Sequence, residues 1–212
     1  MVKDRIIPCL LLRDGGLIKT EKFKKEKYIG DPINAVKIFN DKEVDELIFL
    51  DIDASKEKRG PDLELLKDLA SECFMPFAYG GGINDFNQIE ELLKIGIEKI
   101  IINNAALTSA ALIENSVKKF GSSTIVAAID VKKNVWGKYQ VYNHVTKKNL
   151  DLSPLETAKR YCDLGVGEIF LNNVDLDGTF GGYDLSLIQS ISNAIPAPLI
   201  ACGGASNVNN LY

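Results

Sequence analysis

"VDELIFLDID", residues 44–53, returns 122 residues later (166 − 44) as "VGEIFLNNVD", residues 166–175. "PFAYGGG" (76–82) and "PLIACGG" (198–204) stand at the same offset (198 − 76). Two unrelated motifs sharing one spacing point to an internal duplication, each copy a series of strand–helix units. The runs are rich in Ile, Leu and Phe without strict alternation, as strands of a parallel sheet covered on both faces should be. Working outward, seven such strands are expected: 5–11, 46–52, 76–80, 99–103, 124–130, 168–173 and 198–202. The same duplication pairs strand one, ending at Leu11, with strand five, ending at Asp130.

Helical patterns lie between the strands. "DPINAVKIFNDKEV" starts with Asp31 as N-cap and Pro32 at the first helical position. "DFNQIEELLKIG" ends at Gly96, and "SPLETAKRYCDLG" opens on Ser153 and Pro154 and stops at Gly165. Repeated βα units with right-handed crossovers make an α/β protein. Two (βα)4 halves predict a TIM (β/α)8 barrel, a single domain over 1–212 that is truncated at the C-terminus, with one strand and its helix lying beyond "ASNVNNLY". An open seven-stranded sheet is the alternative.

The 25 Lys and Arg against 29 Asp and Glu leave a net charge of −4, with no electrostatic case for nucleic acid or an anionic membrane surface. No apolar run approaches the length of a membrane span, and the N-terminal apolar stretch is broken by Pro8, poor grammar for a signal peptide. Cys9, Cys73, Cys162 and Cys202 form no CxxC pair, so they read as buried thiols of a cytoplasmic protein, with no metal site and no cofactor expected.

In a barrel the chemistry sits at the C-terminal ends of the strands. Glycine-rich turns follow strands three (Gly80, Gly81, Gly82) and seven (Gly203, Gly204), where bare backbone N–H groups can approach an anion. Two such turns related by duplication suggest a phosphorylated small molecule with a phosphate at each end. Asn103 and Asn104 in "NNAA" and Asp177 and Gly178 in "DLDGT" are placed to complete the two pockets, although "DGT" also reads as a plain turn. Carboxylates end other strands: Asp51, Asp53 and Asp130. Asp130 follows the apolar "VAAI" and is the candidate general acid or base; a capping or salt-bridged aspartate is the alternative. "KTEKFKKEK" (19–27), which starts at Lys19, reads as a mobile loop closing over an anionic substrate or as a solvated surface. His144, the single histidine, lies in the polar stretch "VYNHVTKKN" and reads as a loop residue outside the chemistry. Arg5, Glu46, Lys99 and Glu168 each open a strand, where a ring of ion pairs could seal the barrel floor or gate a path through it.

"RIIPCLLL", "GLIKT", "GDPINAVKIFN", "VDELIFLDIDAS", "YGGGI", "FGSSTIVAAIDVK", "GVGEIFLNNVDLDGT" and "GGYDLSLI" together resemble HisF, the cyclase subunit of imidazole glycerol phosphate synthase, over nearly the whole chain. The resemblance implies that a last helix, strand and helix are missing here. It implies a heterodimer with a HisH-type glutaminase docked at the barrel floor, whose ammonia passes a charged gate (Arg5, Glu46, Lys99, Glu168) and crosses the core. It matches phosphate-binding positions to Gly82, Asn103, Asp177, Gly178, Gly203 and Gly204, and puts Asn104 where the family has a small residue, often Thr. It also implies two catalytic aspartates. Asp130 is one; the other falls on Leu11, which transfers no proton.

"IPCLLL" with "GLIKT" and "KYIGDPINAVKIFNDKEVDELIFLDIDA" is most similar to the HisF-type proteins of surface-polysaccharide clusters, which supply ammonia for acetamidino-sugar formation with a separate sugar amidotransferase. Three functions follow as expectations: an ammonia-delivering subunit for sugar amidination; a histidine-pathway cyclase in which Asp130, with Lys19 or Asp51, covers for Leu11; and a non-catalytic scaffold that activates the glutaminase.

Overall fold

The computed structural model describes residues 5–207. The chain divides into two compact units, one of 1–19 with 27–101, the other of 20–26 with 102–212. In chain order the strands are β1 (Cys9–Arg13), β2 (Gly16–Glu21), β3 (Lys24–Gly30), β4 (Leu47–Asp51), β5 (Phe77–Gly80), β6 (Lys99–Ile102), β7 (Ile125–Lys133), β8 (Tyr139–Asn143), β9 (Lys148–Asn149), β10 (Glu168–Asn173) and β11 (Leu199–Cys202). The helices are α1 (Pro32–Asp41), α2 (Leu63–Glu72), α3 (Phe86–Lys94), α4 (Asn104–Thr108), α5 (Ala110–Phe120), α6 (Pro154–Asp163) and α7 (Leu185–Ser192). The fold class is α/β, with seven parallel strands alternating with helices in the order of a (β/α)8 barrel that lacks its final elements.

In the first unit β1, β4, β5 and β6 form a parallel ladder, with Leu11 opposite Leu50, Leu47 opposite Phe77 and Ala78 opposite Lys99. In the second, β7, β10 and β11 do the same, with Asp130 opposite Asn172 and Asn172 opposite Cys202. The 122-residue offset carries β5 (77–80) onto β11 (199–202) and β4 (47–51) into β10. Leu50 and Asn172 are therefore the same position in the repeat, and so are their ladder partners Leu11 and Asp130.

Burial follows from this layout. All four residues of β5, five of six in β10 and seven of nine in β7 are buried. Val36, Phe49, Tyr79, Ile89 and Leu92 fill the first unit's interior, and Ile129, Tyr161 and Ile169 the second's. Each such side chain contributes about 1.5–3 kcal/mol by leaving water. The helices start where the capping residues predict. The Asp31 carboxylate accepts the Asn34 N–H ahead of α1, and the Ser153 hydroxyl accepts the Glu156 N–H ahead of α6. Chain reversal after α3 and α6 falls on Gly96 and Gly165, both at positive φ.

Two expectations fail here. Residues 19–27 are not a loop: 16–21 and 24–30 are strands joined by Lys22 and Phe23, both left-handed. The hairpin escaped notice because six of the seven residues of β3 are exposed, which erases the apolar alternation that betrays a strand. Nor does Arg5 open a strand. The first strand starts at Cys9, because Pro8 has no N–H to donate to a ladder, although its carbonyl accepts the Ile48 N–H. The repeat thereby gains an element that the sequence concealed: β1 and β7 are each followed by an antiparallel return strand, with Leu12 opposite Leu17 and Val131 opposite Val141.

Candidate functional site

Within the second unit, Asp130 near the end of β7 is 5% exposed. Its Oδ2 accepts the Asn103 side-chain amide at 2.9 Å and faces Nδ1 of His144 at 3.1 Å. Its charge reaches neighbours: Tyr142 is pushed up first by burial and then by Asp130. His144, expected to lie outside the chemistry, is thus part of the site. It is carried there by the turn between β8 and β9, whose geometry Asn143 sets. The Asn143 side-chain oxygen accepts the N–H groups of Val145 (3.0 Å) and Thr146 (2.9 Å), and its amide donates to Asn104 Oδ1 at 3.2 Å. Asn103, Asn104, Asp130, Asn143 and His144 are one connected polar network. No local signal marks His144, because its role depends on a β8 return strand that puts residue 144 back beside residue 130.

Asp177 is occupied by its own fold. Its carboxylate accepts the Thr20 hydroxyl at 2.7 Å and the Phe23 N–H at 3.2 Å, and its carbonyl accepts the Lys22 N–H at 2.9 Å. It anchors the hairpin tip, and burial raises its pKa. Gly178 follows at φ +66° with its Cα against the Thr20 carbonyl. Lys19 projects from β2 and is exposed.

The glycine turns repeat in three dimensions. A methyl group on Gly81 would fall 2.6 Å from the Asp51 carbonyl oxygen, and one on Gly203 would fall 2.6 Å from that of Asn173, the residue 122 positions after Asp51. Both glycines have positive φ, so close packing on the preceding strand end already demands glycine there, whatever the turn binds. The Gly82 N–H lies 3.3 Å from the Ser55 hydroxyl, to which it donates, and the Gly204 carbonyl accepts the Gly182 N–H at 2.7 Å.

Asp51 is held by both terminal nitrogens of Arg59 (2.7 and 2.9 Å) and accepts the Asp53 and Ala54 N–H groups at 3.2 and 3.1 Å. So engaged, it pins its loop. Asp53 pairs with Arg13 and Lys56. Burial pushes its carboxyl up, but the two cations outweigh this and hold it below the usual range.

At the opposite ends of the first unit's strands, Glu46 is 2% exposed, and its Oε2 accepts both Arg5 (2.7 Å) and Lys99 (2.8 Å). Glu46 Oε1 takes no hydrogen bond among the described residues. Glu168 opens β10 in the other unit. Among the described residues no group of three or more His, Cys, Asp or Glu could hold a metal ion, and no helix is long and apolar enough to cross a membrane.

The sequence model of a family described as histidine biosynthesis protein matches residues 5–212. A Pseudomonas aeruginosa protein, provisionally named imidazole glycerol phosphate synthase subunit hisF2, is 50% identical over 211 residues, covering all of this chain and 84% of its own length. A Leptospira interrogans protein with the provisional name imidazole glycerol phosphate synthase subunit HisF is 43% identical over 212 residues, again all of this chain and 84% of its own. The imidazole glycerol phosphate synthase subunit HisF of Alkaliphilus metalliredigens is 39% identical over 210 residues, 99% of this chain and 83% of that one.

Proposed function

Because the chain belongs to the histidine biosynthesis protein family, and within it to the HisF subunits of imidazole glycerol phosphate synthase, we propose that it is an ammonia-dependent synthase subunit that receives ammonia from a glutaminase and delivers it at the C-terminal ends of its strands for acetamidino-sugar formation in surface polysaccharide. One observation carries the departure from the family's usual substrate. Leu11 holds in the first unit the register position that Asp130 holds in the second, so the repeat presents an apolar group where a second carboxylate would stand. Loss of one member of an acid/base pair costs a reaction built on both about 10²–10⁴-fold.

The ammonia source is a HisH-type glutaminase, and a sugar amidotransferase is the further partner. Arg5, Glu46 and Lys99, joined by ion pairs in the first unit, are gate residues on the ammonia path, and Glu168 is the gate candidate of the second unit. The buried Glu46 Oε1 supports that role, since it is an acceptor suited to an N–H-bearing guest. In the first unit Gly81 and Gly82, and in the second Asn103, Asn104, Gly178, Gly203 and Gly204, are the proposed phosphate-binding positions, with Asp177 holding the hairpin tip of the second unit. The names of the relatives favour a second reading, conversion of the histidine-pathway ribonucleotide to imidazole glycerol phosphate.

The test uses the full-length protein with its HisH-type partner, glutamine and that ribonucleotide, following glutamate release and ribonucleotide consumption together. Untouched ribonucleotide supports sugar amidination. Consumption in step with glutamate release overturns it in favour of the histidine-pathway reading.

A further inference from the structure

We propose that His144 is a catalytic residue, the proton carrier of the ammonia-addition step, oriented for that task by Asp130. The inference rests on the synthase reading above. In this arrangement Asp130 Oδ2 accepts from Nδ1, 3.1 Å away, and Nε2 is the ring nitrogen that exchanges the proton. The ring makes no other hydrogen bond among the described residues, and its side chain is 23% exposed, so the carboxylate holds one edge of a ring that is not sealed in the core. Each neighbour fixes one degree of freedom. Asn103 donates to the same carboxylate oxygen and keeps it turned toward the ring. Asn143 closes the turn that bears His144 and ties it to Asn104 at the start of α4. This is more order than a solvated loop histidine needs.

The chemistry balances without a further reagent. The ammonia lone pair forms the new N–C bond as the carbonyl π pair moves to oxygen. Nε2 takes a proton from the resulting ammonium nitrogen, and the imidazolium, stabilised by the Asp130 carboxylate, returns it to the oxygen. A second cycle takes another N–H proton and gives it to the hydroxyl, which leaves as water as the C=N bond forms.

The His144 imidazole ¹⁵N resonances, assigned by their loss in His144→Gln, report this site. Long-range ¹H–¹⁵N spectra of the full-length protein should show the Nδ1–H tautomer, and Asp130→Asn should convert it to Nε2–H. A wild-type Nε2–H ring overturns the proposal by itself. The functional arm restores full-length wild type or His144→Gln to a strain lacking this protein, scoring both acetamidino-sugar content and histidine prototrophy. Purified complex is then run on ammonium chloride with the acceptor of the restored pathway. The expected result is a kcat about 100-fold lower in His144→Gln at unchanged KM for ammonia, with unfolding midpoint preserved. A kcat within threefold of wild type overturns the proposal. If wild type restores neither pathway, the synthase reading falls, and with it the catalytic role of His144, while the tautomer measurement still decides whether Asp130 orients the ring.

Discussion

Leu11 lies opposite Leu50 where Asp130 lies opposite Asn172, so Leu11→Asp rebuilds in the first unit the carboxylate of the second. The substitution should raise conversion of the histidine-pathway ribonucleotide at least about tenfold, because a second proton-transfer group returns. It should cost about 2 kcal/mol of stability, since the side chain is half-buried and a charge replaces an alkyl group. Turnover and urea midpoints check both; unchanged conversion would remove Leu11 as the reason for altered chemistry. Asp177 makes a prediction in pH. Burial raises its pKa above the ordinary 3.8, so the folded protein binds that proton more tightly than the unfolded chain. Stability from this group therefore falls as pH rises from 3.8 through the folded value. An asparagine keeps the acceptor for Thr20 and Phe23 but carries no charge. Asp177→Asn should be more stable than wild type at pH 7, with the difference closing toward pH 3; urea unfolding at the two pH values measures it. Asp130 was readable as a buried strand-end carboxylate. His144 was not, because a side chain from residue 144 reaches residue 130 only through a tertiary return strand.

At the scale of elements, local chemistry and structure agree at the starts of α1, α2, α3, α5, α6 and α7, each opened by a side-chain cap, while α4 has none. The Asp85 carboxylate accepts the Asn87 N–H at 2.6 Å and the Gln88 N–H at 3.3 Å, while the Gln88 side chain accepts the Asp85 N–H at 3.2 Å. This reciprocal cap opens α3, whose Ile89 and Leu92 are fully buried. Asp85→Ala should cost about 1 kcal/mol, read as a shift in the urea midpoint at unchanged slope. The hairpin of β2 and β3 behaves differently. Its tip is held by Asp177, more than 150 residues away in sequence, and its outer strand faces solvent throughout. Its charged sequence therefore resembled a loop. Return strands after both β1 and β7 show that the duplicated unit is strand, return strand and helix at its head, not strand and helix alone.

For the whole molecule, a boundary between the two compact units falls at 101/102, within the last residues of the fourth parallel strand, ahead of the α4 and α5 helices that close the first copy of the repeat. The repeat preserves backbone demands more faithfully than side chains. Gly81 and Gly203 pack on Asp51 and Asn173 in the same way, but Leu11 and Leu50 correspond to Asp130 and Asn172. The two copies have thus kept one scaffold and diverged in the side chains at these positions. With its HisH-type glutaminase, the full-length protein should elute as a 1:1 complex and raise glutamate release by the glutaminase about tenfold, a coupling of about 1.4 kcal/mol. Separate elution with no change in glutamate release would leave the chain working on free ammonia.

The sequence alone determined the α/β class, the seven parallel strands, the helix starts and the duplication. Each of these follows from local rules, namely apolar runs, capping residues and a spacing that can be counted. Only the tertiary structure decided which carboxylates are engaged and which are poised. Arg59 closes over Asp51, Thr20 and Phe23 occupy Asp177, and Asn103 and His144 converge on Asp130. Those assignments depend on distances between residues far apart in the chain, and no local pattern encodes them.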